Sequence, residues 1–193
     1  MAFSQAMDLA TTDESLMTEL PSIASTITSS YADKLGWSNE QFRFVDQELV
    51  RCRQQLSHDL SSRAYYDEAR SDQDRGIDVY RIPASTKEAG RILEDFRSTL
   101  EAEIGSKDSA FIMDSLYSWQ FGSFGKHDIT IRFRQKERNL GQSTVKVDVY
   151  DFEYIDTRSG EVTLSGGGTL ERLDRLFGKA FELNIKETEA IAQ

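Results

Sequence analysis

His127-Asp128-Ile129-Thr130-Ile131-Arg132-Phe133-Arg134 places His127, Ile129, Ile131 and Phe133 in alternation with Asp128, Thr130, Arg132 and Arg134. A period of two sends the two sets to opposite faces of a pleated strand, so this stretch predicts a half-buried β-strand. Downstream, Lys136 to Ser143, with Asn139 and Gly141, reads as a turn. Val145, Val147 and Val149 then alternate with Lys146 and Asp148. At Tyr150 the phase inverts: Tyr150, Phe152 and Tyr154 are apolar, while Asp151 and Glu153 are not. A strand changes faces by gaining a residue, so the spacing predicts a β-bulge or sharp bend near Val149–Asp151, the alternative being cover on both faces. Asp156-Thr157-Arg158-Ser159-Gly160 is a hairpin turn and Glu161 to Leu164 the returning strand, which completes a three-stranded antiparallel meander.

Upstream of this ribbon the period is that of a helix. Ser38 and Gln41 have the spacing of a capping box, in which each side chain satisfies an otherwise orphaned backbone N–H. Phe42, Val45, Leu49, Cys52, Leu56 and Leu60 follow at three- and four-residue steps, a continuous apolar stripe on a helix of about seven turns. Asp67 to Gly76 is a charged solvent loop, and Ile77 to Ile82 a short strand closed by Pro83. Ser85 with Glu88 is a second capping box, ahead of a helix carrying Ala89, Ile92, Phe96, Leu100 and Ile104 and stopped by Gly105. Another helix is expected over roughly 109–119. Beyond the meander, Ser165 to Gly168 reads as a glycine-rich turn into a helix capped by Thr169, with Leu170, Leu173 and Phe177 facing inward and a last short strand at 181–185.

The fold these patterns specify is α+β: four or five helices packed on one face of a small curved antiparallel sheet, a meander of three or more strands. Residues 1–36 form a Ser/Thr-rich N-terminal arm, six of the nine residues from Ser22 to Ser30 being Ser or Thr. Leu16, Leu20, Ile23, Ile27 and Tyr31 give that arm the period of one or two short helices, interrupted at Pro21. Residues 37–193 form a single α+β domain.

Composition narrows the function classes. The 193 residues are 38% hydrophobic, 10% aromatic and 29% charged, a globular balance with enough aromatic area for a packed core. The net charge of −10 opposes binding to nucleic-acid phosphates, which requires clustered Lys and Arg to displace counterions. A local basic patch at Arg132, Arg134, Lys136 and Arg138 reads as a solvated strand edge. The same acidity suits a basic protein partner. With one cysteine, Cys52, and two histidines, His58 and His127, neither an intrachain disulfide nor a thiolate metal site is expected, and no cofactor is. Cys52 lies on the apolar stripe and reads as a small buried hydrophobe. No Lys or Arg precedes Lys34 and no run is long enough to cross a bilayer, so the expected location is the cytoplasm, without membrane association, unless a signal or anchor has been removed.

Three constellations bear on chemistry. Gly166, Gly167, Gly168 and Thr169, placed before a helix, would let backbone N–H groups approach an anion, although the spacing is neither that of a P-loop nor that of a dinucleotide fingerprint. The turn from Trp119 to His127, with Phe121 and Phe124 among glycines, has the composition of a pocket wall. In a regular strand His127 and Asp128 point to opposite faces and form no dyad. Asp148, Asp151, Glu153 and Asp156 form an acidic set that reads as a strand face paired with Arg132 and Arg134, unless a bulge gathers Asp148 and Asp151. Asp72, Asp74 and Gly76 lack the spacing of a calcium loop. With no catalytic or metal set recognised, the expected function is a non-enzymatic protein-interaction or regulatory module. The alternative is a small-molecule or anion-binding domain, or a hydrolase, using 166–169 or 119–127. Oligomeric state is not legible.

Overall fold

Ser38 and Gln41 close the expected capping box: the Gln41 N–H donates to Ser38 Oγ at 3.1 Å and the Ser38 N–H to Gln41 Oε1 at 3.0 Å. Helix α1, Asn39–Arg63, begins there. Its stripe is buried at Val45, Leu49, Cys52, Leu56 and Leu60. The computed structural model describes residues 32, 35–116, 120–140, 143–170, 173–178, 181 and 183. The helices expected within 1–31 therefore lie outside the described residues, as do Trp119 and most of the strand expected at 181–185.

The chain divides into two compact units, Met1–Arg51 with Asp95–Tyr117 and Cys52–Glu94 with Ser118–Gln193. Helix α2 (Thr86–Ser115), which enters the first unit at Asp95, is interrupted at Gly105, whose φ of 81° and ψ of 162° are open to glycine alone. The expected helix stop is thus real, but the chain resumes helical backbone at once and doubles back, bringing Ser109 Oγ to the Arg97 carbonyl at 3.3 Å. Trp37 Nε1 donates to Asp108 Oδ2 at 2.7 Å and Gln41 Nε2 to the Glu103 carbonyl at 3.2 Å, tying the start of α1 to this hairpin over buried Phe96, Leu100 and Ile112.

The second unit holds an open, five-stranded antiparallel meander in the order β1 (Tyr65–Tyr66), β2 (Ile77–Ile82), β3 (His127–Leu140), β4 (Ser143–Asp156), β5 (Val162–Thr169), and a short helix α3 (Leu173–Phe177). One face carries Tyr80 and Ile82 beside Ile129 and Ile131, and Phe152 and Tyr154 beyond them, all buried. The fold is α+β with helices packed on this sheet: Leu56 and Leu60 of α1, Ala89 and Ile92 of α2, and Leu176 and Phe177 of α3 are buried in the same unit. The Phe177 ring meets Phe152 edge-on at 6.4 Å. Among the described residues no helix is long and apolar enough to cross a membrane.

Three sequence expectations are corrected. The bulge near Val149–Asp151 is absent: β4 pairs with β3 residue for residue from Ser143 to Asp156. Val147 and Val149 are half-buried on one face and Tyr150, Phe152 and Tyr154 buried on the other, so both faces have cover and no extra residue is needed. The irregularity lies instead between β4 and β5, at Tyr154/Ile155. The turn expected from Lys136 to Ser143 is strand to Leu140 on one side and from Ser143 on the other, because residues 136–140 have cross-strand partners. Finally, Gly166–Thr169 is no turn. These residues continue β5, pairing with Phe152, Asp151, Tyr150 and Val149, and Thr169 is the last residue of the strand. The glycines serve close approach: a Cβ on Gly166 would sit 2.8 Å from Phe152 Cε1, and one on Gly167 2.5 Å from the Tyr150 carbonyl oxygen. Leu170, expected inward, is 42% exposed.

Candidate functional site

The β3–β4 ribbon is longer than its neighbours. β2 pairs with β3 only up to Arg134, and β5 with β4 only from Val149, while β3 and β4 remain paired as far as Leu140 and Ser143. On the face that forms the core, the sequence changes at the same point: Ile129, Ile131 and Phe133 are followed by Gln135 and Glu137, and Tyr150 is preceded by Asp148 and Lys146. The apolar face ends at Phe133 and the backbone does not.

At this step lies a groove of about 810 Å³, entirely within the second unit. Its floor is Phe133 and Tyr80, whose rings meet edge to face at 5.7 Å. One wall is the turn Gln73–Gly76, fixed by a 3₁₀ turn in which Asp72 Oδ1 accepts the Arg75 N–H at 3.1 Å. The ribbon residues Gln135, Glu137, Lys146 and Asp148 supply the other side, with Leu170 at the mouth. Asp78, the register partner of Phe133, accepts a hydrogen bond from Tyr66 Oη at 3.2 Å. Among the charged residues of the groove, Arg75 pairs with Asp72 at 3.4 Å and Arg134 with Asp151 at 2.7 Å.

The residues that alternate with the core-facing ones along the ribbon bear a ladder of ion pairs. Arg132 meets Glu153 at 2.8 Å and Arg134 meets Asp151. This is the cross-strand pairing expected of the acidic set. Asp148 stays on the groove face because no bulge turns it toward Asp151, and Asp156 accepts the Arg158 and Ser159 N–H groups at 2.9 and 2.8 Å to hold the β4–β5 turn. The guanidinium of Arg132 lowers the Glu153 pKa below its usual 4.5. A carboxylate with a lowered folded-state pKa stabilises the fold above its unfolded value, and that contribution is lost as pH falls through the folded value. Glu153→Gln is therefore expected to cost at most about 1 kcal/mol at neutral pH, the pair being partly exposed. The difference from wild type present at neutral pH should shrink at acid pH, once the carboxylate is protonated. Urea midpoints at the two pH values check this, and a gap that persists in acid assigns it to packing instead.

The aromatic turn is built unlike the groove. Phe121–Gly125 makes one helical turn of left-handed backbone, with φ of 51° at Phe121, 53° at Ser123, 56° at Phe124, and Gly122 and Gly125 also positive. Each non-glycine residue there costs about 1–2 kcal/mol. Burial of the Phe121 side chain offsets part of this, and the Gly122 N–H points to Tyr154 Oη at 3.4 Å. Burial holds the Tyr154 hydroxyl well above the usual phenol pKa. Phe121 is core, Phe124 is half-buried and stacked on it at 6.5 Å, and Trp119 lies outside the described residues. His127 stacks on Tyr154, whereas Asp128 faces the other way, accepting the Ala84 N–H at 2.7 Å. The structure thus brings Phe121, Phe124 and His127 to one end of the sheet and places Gly166–Thr169 on its edge strand. Among the described residues no group of three or more His, Cys, Asp or Glu could hold a metal ion.

No sequence motif marks Tyr80, Phe133 and Leu170. The usable signal was the loss of apolar character after Phe133 while strand pairing continued. Comparison with protein-family models, curated proteins and solved structures finds no match to this chain.

Proposed function

We propose that this chain is a non-enzymatic protein-binding module that takes an extended segment of a partner into the groove at the base of the β3–β4 ribbon. The observation that carries this reading is the step at Phe133, where the apolar face of the ribbon ends in a groove lined by Tyr80, Phe133 and the exposed Leu170. Seven of the thirteen lining residues are charged: Asp74, Arg75, Asp78, Arg134, Glu137, Lys146 and Asp148. Small-molecule sites are mostly apolar and enclosing. An apolar centre inside a polar rim is instead the anatomy of a protein interface. The neighbouring strands stop short here, which leaves room for a chain running beside the ribbon.

Selection of a random-peptide library on the wild-type protein, followed by rebinding to Leu170→Asp, tests the reading. Leu170 is exposed, so this change should leave the melting temperature near that of wild type. Selected peptides are expected to lose at least about tenfold in affinity for the variant, or 1.4 kcal/mol. Peptides that bind both proteins equally, or a selection that yields none, count against the groove.

A further inference from the structure

We infer that the segment accommodated by this groove is basic, carrying Lys or Arg residues on either side of one apolar anchor. The inference rests on the reading of the groove as a protein-binding surface and adds the chemistry of its occupant.

The charges of the groove are not balanced within it. Its two arginines are committed to carboxylates outside the lining, Arg75 to Asp72 and Arg134 to Asp151. Lys146 is its remaining cation, facing Glu137 across the ribbon. Against it stand Asp74, Asp78, Glu137 and Asp148, and among the described residues none of these four is within ion-pairing distance of a cation. The acids also flank the floor. Asp78 is the register partner of Phe133 on β2, and Asp148 lies one same-face step further along the ribbon, opposite Gln135. Asp74 stands on the turn across from them. An apolar side chain resting on Phe133 and Tyr80 would thus lie between carboxylates on both sides.

Like charges gathered in a concave site repel one another and focus a negative potential, which a cationic ligand relieves. The chain as a whole, at −10, adds to that potential and favours encounter with a basic segment at low ionic strength. An acidic or neutral segment would leave the excess of acids, four against Lys146, uncompensated as water is excluded. The apolar anchor supplies affinity, and the acids supply the choice of sequence.

The peptides selected above provide the test. They are expected to be enriched in Lys and Arg relative to the unselected library and to weaken as salt is raised, because exposed charges are screened beyond about 8 Å at physiological ionic strength. Glu137→Lys with Asp148→Lys should weaken them at least about tenfold. Glu68→Lys with Glu161→Lys, an equal change of charge at exposed positions away from the groove, should weaken them far less. Peptides with no basic excess that still depend on Leu170 would overturn the basic occupant and leave the groove standing. If both double variants weaken binding equally, only the overall charge acts, and the local inference fails. If Leu170→Asp changes nothing, the groove itself is wrong.

Discussion

Gly125→Ala is expected to destabilise the protein by about 2–5 kcal/mol, which is a large share of the total for a chain of this size. Two costs add. At φ 79° an alanine occupies the left-handed region at about 1–2 kcal/mol. Its Cβ would also lie 2.0 Å from the Ser85 carbonyl oxygen and 2.8 Å from the carbonyl carbon, both backbone atoms that no rotamer change can clear. The strand–helix connection at Ser85 is itself anchored beside the start of β3, where the Ala84 N–H donates to Asp128. Relief therefore requires the backbone to move, at a further cost of about 1–3 kcal/mol. Gly160→Ala separates the two terms: its φ is 72°, but nothing lies within 4 Å of the new methyl. It should lose only the conformational part, about 1–2 kcal/mol. Urea denaturation of both variants measures the contrast. Equal losses would mean that the approach of residues 85 and 125 is looser than described.

Phe177→Ala should cost about 3–5 kcal/mol, as expected for an aromatic ring deleted from a packed core. Phe177 is fully buried, with its ring edge-on to Phe152 and 4.9 Å from the ring of Phe181. The helix that carries it has five residues and could not persist unsupported, since a nucleus that short is unfavourable in water. The side chain therefore holds α3 to the sheet as well as filling space. Near-ultraviolet circular dichroism should lose aromatic signal together with the drop in urea midpoint. A loss below about 1 kcal/mol would remove Phe177 from this anchoring role.

Much of the architecture was legible because local and global preferences agreed. The stripe from Val45 to Leu60 and the box at Ser38 and Gln41 are helix signals that nothing in the fold opposes. The alternation from Ile129 to Phe133 is strand for the same reason. The misreadings arise where one residue type serves two ends. Glycines at 166–168 resemble a turn, yet here they make room for the Phe152 ring and the Tyr150 carbonyl. The inverted phase at Tyr150 resembled a bulge because a strand covered on different faces along its length looks, in one dimension, like a strand with a residue inserted. The left-handed turn at Phe121–Gly125 had no local signal, since phenylalanine and serine disfavour that backbone and only the surrounding packing imposes it. The groove was half legible. Asp74 and Asp148 stand out in the sequence as a loop and a strand residue, but the convergence of the acids on Phe133 depends on where β2 and β5 end, and no periodicity reports that.

The exchange of apolar faces along β4 also bears on how the hairpin finds its alignment. In a strand greasy on one side only, sliding by two positions restores the same pattern, and misaligned pairings compete closely with the native one. In β4 a two-position slide would carry Asp148 into the place of Tyr150 in the core, or push the Tyr150 ring out to the position opposite Gln135. A one-position slide would misplace the valines and the aromatic residues together. The strand thus contains its own proofreading of alignment, with a single setting that satisfies both halves and few near-misses in which a folding chain could become trapped.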